Sequence, residues 1–305
     1  MKKLIVSLLL TLTMCISLCI PAWAVLILED TALSLEPYED VNCAFGSTAL
    51  SIIEDTETRQ YFEKHIADMK LELLEVSTKT VYVEEGYDKN GQFNSKVLSK
   101  ADVEQIISSK NTMSLRDALT EYSVNASNDS NSRGQLTITF SKSRDAHGNY
   151  VLNAYAKWNT DNLTSEGSIH PYHGDDYIAI RWGGDNEYLK ATGYSFAGKY
   201  TDNSNMPGCR VLSNTYGGYC WSFEERTATF GKVMDHASVV IVLDNTYNEL
   251  QNRETGAMFS YIHTYESKTS SWGVSFNGTS FYGGITLSNC SKQWMISTDV
   301  DGIQF

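Results

Sequence analysis

The densest group of chemically capable side chains lies in His170-Pro171-Tyr172-His173-Gly174-Asp175-Asp176. Imidazoles and carboxylates this close together form a donor set for a divalent ion such as Zn²⁺. The stretch leads directly into a strand pattern, which would fix the donors. His173 and Asp175 are the expected ligands, with His170 beside them. The same residues also make an ordinary Pro-Gly turn. No CxxC pair and no identifiable distant ligand completes a common zinc motif, so the turn is the simpler account. One divalent metal is therefore the most that is expected, and no other cofactor.

A second candidate is the acid pair Glu224-Glu225. Neighbours on a strand point to opposite faces, so the two cannot share a site by themselves. Glu225 alternates in phase with Trp221 and Phe223, which would set one acid beside aromatic rings. Carbohydrate-active enzymes use that combination, and Glu225 is the catalytic candidate for sugar hydrolysis; a solvent-facing strand accounts for it equally well. Cys220-Trp221 matches a residue pair found in papain-like proteases, where it opens a helix near the mature N-terminus. In this chain it falls late and enters an alternating strand, and His236 and His263 follow too soon. Cys220 reads as structural. Gly273-Val274-Ser275-Phe276-Asn277 lacks the second glycine of a serine nucleophile turn. The phosphate-loop, dinucleotide and HExxH signatures are absent, and Asp88-Lys89-Asn90-Gly91 and Asp299-Val300-Asp301-Gly302 are turns, not complete calcium loops.

The location of this chemistry follows from the first residues. Lys2 and Lys3, an apolar run from Leu4 to Ile20, and Pro21-Ala22-Trp23-Ala24 form the three parts of a secretory signal peptide over residues 1–24. The expected product is secreted and extracellular, with the periplasm as the other oxidising destination. The formal net charge of −13 becomes −15 once the two leader lysines are removed. Such a surface repels phosphate backbones and anionic lipid, so nucleic acid is not an expected partner. No later segment is apolar for long enough to span a membrane as a helix. An outer-membrane barrel would need an apolar outward row at the C-terminus. Stepping back by twos from Phe305 through Ile303 meets Asp301 and Asp299, which argues against lipid contact. Four cysteines follow the leader, and an exported chain can oxidise them. Cys209–Cys220 is the favoured bridge across a Gly-Gly turn, which leaves Cys43–Cys290; four buried thiols are the alternative.

The elements that would hold these residues change in character near residue 130. Residues 25–130 read as a mixed α+β region. Tyr61, Phe62, His65, Ile66 and Met69 form one helix face after Asp55-Thr56-Glu57. Capping patterns at Ser99–Asp102 and Ser114–Asp117 precede short helices, and strands are expected at Thr80–Glu85 and Gln92–Leu98. A polar linker spans Asn125–Gly134. Residues 134–305 read as an antiparallel β-sandwich or jelly roll, mainly β throughout. Its clearest hairpin runs from Leu136 to Trp158, and Val239–Leu243 is a strand covered on both faces. Further strands are expected at Tyr177–Trp182, Trp221–Phe230, Ala257–Tyr265, Trp272–Phe276, Ile285–Ser288 and Trp294–Ser297.

The reading that results is a secreted, non-catalytic binding or interaction protein. Its partner is an extracellular ligand, glycan or protein, and its surface is built from aromatic residues. The alternatives are a carbohydrate-active enzyme using an acid near Glu225 and a secreted toxin-like protein whose strands rearrange on a membrane.

Overall fold

The computed structural model describes residues 37–87, 90–109, 132–158, 175–183, 189–215, 217–225, 232–245, 254–265, 273–276, 285–288 and 292–304. The leader, the Ser114 cap and the expected linker up to Asn131 lie outside the described residues, while Ser132–Gly134, read as the end of that linker, open a strand that pairs with Val83–Glu85. In chain order the elements are β1 (Glu39–Phe45), a 3-10 turn (Gly46–Ile52), α1 (Thr56–Met69), β2 (Glu72–Tyr87), β3 (Phe93–Val97) and α2 (Lys100–Ser109). There follow β4 (Ser132–Arg144), β5 (Tyr150–Trp158), β6 (Asp175–Trp182), β7 (Leu189–Tyr200), β8 (Arg210–Thr215) and β9 (Gly218–Glu224). The last are β10 (Met234–Asn245), β11 (Glu254–Thr264), β12 (Gly273–Phe276), β13 (Ile285–Ser288) and β14 (Gln293–Gln304).

The protein is mainly β, and its strand pairings are antiparallel. One sheet has the order β1-β2-β4-β5-β10-β7, with β3 added beside β2. The other runs β14-β11-β6-β9-β8, and β12-β13 form a separate ribbon. The two large sheets face each other across one core. Leu136, Ile138 and Phe140 of β4 and Val239, Ile241 and Leu243 of β10 meet Ile178, Ile180, Trp221 and Phe259 from the opposite sheet. Each such side chain contributes about 1.5–3 kcal/mol by leaving water, and period-two alternation is what lines them up on one face.

The larger sheet is covered on its other face as well. α1 starts where Asp55 Oδ1 accepts from Thr58 N (2.8 Å) and Thr58 Oγ1 (2.6 Å), and it ends at Lys70 in the left-handed conformation (φ 53°). Its apolar face packs Tyr61 and Phe62 against Tyr155, with ring centroids 4.7 and 5.9 Å apart. Leu71 packs on Val151 and Val240. β5 is therefore buried along its whole length, and β10 sits covered on both faces as its sequence predicts.

Residue 130 marks a change of element type and not the border of a separate sheet. β2 pairs with β4 from Glu72↔Arg144 to Glu85↔Ser132, so strands from both sides of that point share one sheet. Ser99 and Asp102 cap α2 reciprocally, with Asp102 N donating to Ser99 Oγ (3.2 Å) and Ser99 N to Asp102 Oδ2 (3.1 Å). Three strands were not foreseen. β1 and β7 are edge strands exposed along much of their length, and β8 pairs only with β9 among the described residues. Such strands lack the apolar row that reveals a strand in sequence.

Candidate functional sites

Four inward-facing rows end in ionisable side chains at the same end of the sandwich. Val81 and Val83 lead to Glu85, Trp221 and Phe223 to Glu225, and Phe259 and Tyr261 to His263, while Asp176 precedes Ile178 and Ile180. The pairings Asp176↔Phe223 and Tyr177↔Ile262 bring the ends of β6, β9 and β11 together within one sheet. Glu85 reaches them from the other sheet. All four are buried, and Asp176 has no exposed surface at all.

His263 is the centre of this cluster. Its Nδ1 lies 2.9 Å from Asp176 Oδ2 and 3.5 Å from Glu225 Oε2. Its Nε2 lies 3.0 Å from Glu85 Oε1, within ion-pair range though not aligned as a hydrogen bond. Asp176 is held in place by donors on both oxygens. Thr264 N donates to Oδ1 at 3.0 Å, and Tyr261 donates its hydroxyl proton to Oδ2. Trp158 Nε1 donates to Glu225 Oε1 at 2.9 Å. Trp294 packs on the imidazole with its centroid 4.9 Å away.

Burial by itself disfavours the charged imidazole. Asp176, Glu225 and Glu85 outweigh it and hold the His263 pKa well above its ordinary value. Burial together with Asp176 and Glu225 likewise pushes the Tyr261 phenol well above 10.0, so it stays protonated and donates.

Sequence reasoning picked Glu225 for the right alternation but the wrong surroundings. It sits 3% exposed beside tryptophans inside the sandwich, and not on an open face where a sugar would bind. Asp176 and Glu225 do converge, yet both carboxylates are committed to buried donors. Of the three expected metal ligands only Asp175 is among the described residues. The Asp175 carboxylate faces the other way and pairs with Arg210 Nη2 at 3.3 Å, because successive strand residues point to opposite faces. Asp176 takes the inward place. His170 and His173 lie outside the described residues. His263 and Glu85 were not singled out, although each is an ionisable residue in phase with an apolar row, and that is the signal that could have found them.

The expected Cys209–Cys220 bridge is not formed. Cys43, Cys209 and Cys220 are free thiols, and Cys290 lies outside the described residues. The register explains it. Cys220 stands opposite Ser213, while Cys209 falls just beyond the Arg210↔Ser222 pair. That offset is roughly 10 Å along the strand at 3.3 Å per residue, beyond the reach of a disulfide.

A different feature opens to solvent. On the outer face of the larger sheet lies a groove of about 620 Å³. Thr78, Thr80, Thr137 and Thr139 form its floor, with Gln135 and Tyr82 at one end. Glu39 and Asp40 of β1 line one side, and Glu54 and Asp55 before α1 line the other. These threonines lie in a row because they occupy the outward phase of β2 and β4, paired Thr80↔Thr137 and Thr78↔Thr139. The Thr80 and Thr137 hydroxyls bond each other at 2.9 Å. Thr139 Oγ1 is buried with no hydrogen-bond partner among the described residues. Asp55 is held on its side by Lys157 Nζ at 3.1 Å, which also reaches Glu57 at 2.7 Å. The expected aromatic surface is small, with Tyr194 packed near Tyr219 and Trp221, their centroids 6.4 and 5.5 Å away. Tyr194 (47%) and Phe45 (69%) are the aromatics among the exposed large apolar residues described, and neither lines the groove.

No known protein family matches the chain, and no curated protein matches it in sequence. Loose superpositions exist with solved structures. One comes from work on pH-induced modulation of Streptococcus parasanguinis adhesion by Fap1 fimbriae, with TM-score 0.27, 12% identity, and coverage of 55% of this chain and 82% of that one. The C-terminal domain of the Streptococcus pyogenes antigen I/II-family protein AspA gives 0.27 at 8% identity, over 63% and 88% of the two chains. BcpA, the major pilin subunit of Bacillus cereus, gives 0.27 at 10% identity, over 72% and 80%. Adhesion and pilus assembly are properties of those proteins.

Proposed function

We propose that this chain is an exported, non-catalytic binding protein, and that the threonine-floored groove is where it holds an extracellular glycan. One observation carries the reading. The groove is an open concavity of about 620 Å³, within the range of small-ligand sites, and its floor is hydroxyl groups with Gln135 beside them. A ligand rich in hydroxyls exchanges hydrogen bonds with such a floor. Thr80, Thr137 and Gln135 are the partly exposed polar residues of that floor, and they are the ones a sugar can reach. The four acids at the sides, Glu39, Asp40, Glu54 and Asp55, select against anionic sugars and favour neutral or amino-bearing ones.

A glycan array carrying neutral, amino and sialylated or sulfated sugars tests this. Binding confined to neutral and amino sugars is expected. Gln135→Ala should weaken it at least tenfold while leaving the protein folded, because this side chain is partly exposed at the end of the groove. Binding that ignores Gln135→Ala and Asp40→Asn, or no binding on any sugar class, overturns the reading.

A further inference from the structure

The geometry points to a second site: Asp176, Glu225 and His263 bind a divalent transition cation, with Zn²⁺ the expected occupant, between the ends of β6, β9 and β11. One donor atom from each of these three residues lies within 4.8 Å of the other two. Nδ1 is 2.9 Å from Asp176 Oδ2 and 3.5 Å from Glu225 Oε2. Ligands at 2.0–2.2 Å from a tetrahedral Zn²⁺ stand about 3.3 Å apart, so these two spacings bracket the requirement. One nitrogen with carboxylate oxygens is a borderline donor set, suited to Zn²⁺ or Mn²⁺ and poor for Cu⁺.

An independent feature favours the same occupant. A histidine that ligates a metal through one ring nitrogen normally turns the other toward a carboxylate. In this cluster Nε2 faces Glu85 Oε1 at 3.0 Å, from the opposite sheet. The carboxylate ligands are oriented in the same manner, Glu225 by Trp158 Nε1 and Asp176 by Thr264 N. Charge also agrees, since three carboxylates converge on His263 and a divalent ion brings two positive charges among them. The ion would join three strands of one sheet to one another and, through Glu85, to the other sheet.

Titration of EDTA-dialysed protein with ZnCl₂ in a calorimeter tests the site. One ion per chain is expected. His263→Gln and Asp176→Asn should each lower the affinity at least a hundredfold, and Glu85→Gln ten- to a hundredfold. Circular dichroism shows whether each variant is folded. Should the ligand variants fail to fold, Co²⁺ added to unaltered protein decides instead, because a four-coordinate nitrogen–oxygen site gives strong visible bands. No stoichiometric uptake of Zn²⁺, Mn²⁺ or Co²⁺, or uptake unchanged in folded His263→Gln, overturns the assignment. The glycan reading is untouched by either result, since it rests on the other face of the larger sheet.

Discussion

Trp158 Nε1 donates to Glu225 Oε1 at 2.9 Å, and this hydrogen bond crosses from one sheet to the other. Trp158 ends β5 of the larger sheet, and Glu225 follows β9 of the smaller one. Together with the Glu85–His263 contact it makes one end of the sandwich a polar seam, and Ser77–Thr298 and the Lys142–Glu75 pair add polar contacts to β14 elsewhere between the sheets. An apolar interface tolerates sliding, because dispersion contacts have little direction. Hydrogen bonds between buried partners do not, so the seam sets how the sheets align.

Trp158→Phe keeps most of the ring volume and removes the donor. It should destabilise the protein by about 1–3 kcal/mol, the cost of leaving a buried acceptor unpaired. The urea midpoint should shift with little change in slope. An unchanged midpoint would mean that the bond does not hold the sheets.

His263 predicts the direction of pH dependence. Its folded-state pKa lies well above 6.5. A raised folded value means that its contribution to stability is complete below the unfolded value and is lost as pH rises through the folded one. The melting temperature of metal-free protein should therefore fall above about pH 6.5, and His263→Gln should flatten that slope. A melting temperature that rises from about pH 6.5 to 9 contradicts this.

Lys142 and Glu75 form a buried pair at 3.0 Å, and both reach Asp301, which lies within strand β14 and not in the turn expected at Asp299–Gly302. Glu75 Oε2 accepts from Asp301 N at 3.1 Å, and Lys142 Nζ donates to the Asp301 carbonyl. Lys142→Met should cost about 3–5 kcal/mol by stranding the Glu75 charge. The double change with Glu75→Leu should recover much of that loss. Equal stability of the single and double variants in urea titration would rule out the pair as a coupled unit.

The thiols can be checked directly. Burial and a hydrogen bond to Glu75 push the Cys43 thiol up to about 11, and burial pushes Cys220 to about 12. Native protein at about pH 8 should react slowly with a disulfide reagent at Cys43 and not at all at Cys220, because only thiolate attacks. Unfolding should expose Cys220 and release Cys43 from its hydrogen bond to Glu75. Peptide mapping that finds a Cys209–Cys220 bridge would refute the β8–β9 register.

Much of this was legible locally. The Leu136–Trp158 hairpin, the α1 face around Phe62 and the doubly covered Val239–Leu243 strand follow from which positions alternate or recur, since burial demands one apolar face. β1, β7 and β8 were missed because exposed or edge strands carry no such row. Even the site had a local trace. Glu225, His263 and Glu85 each continue an apolar row in phase, so the sequence puts each on the face of its row and leaves open whether that face is covered.

What those residues meet was decided by tertiary structure. Asp176, Glu225 and His263 are brought together by the order β11-β6-β9, and Glu85 by the packing of one sheet on the other. The threonine floor likewise needs β2 beside β4, two strands that the linear chain separates with β3 and α2. Alternation along a strand is a property of neighbouring residues. Which strand lies next to which depends on contacts between distant segments, and their spacing in sequence carries no record of that.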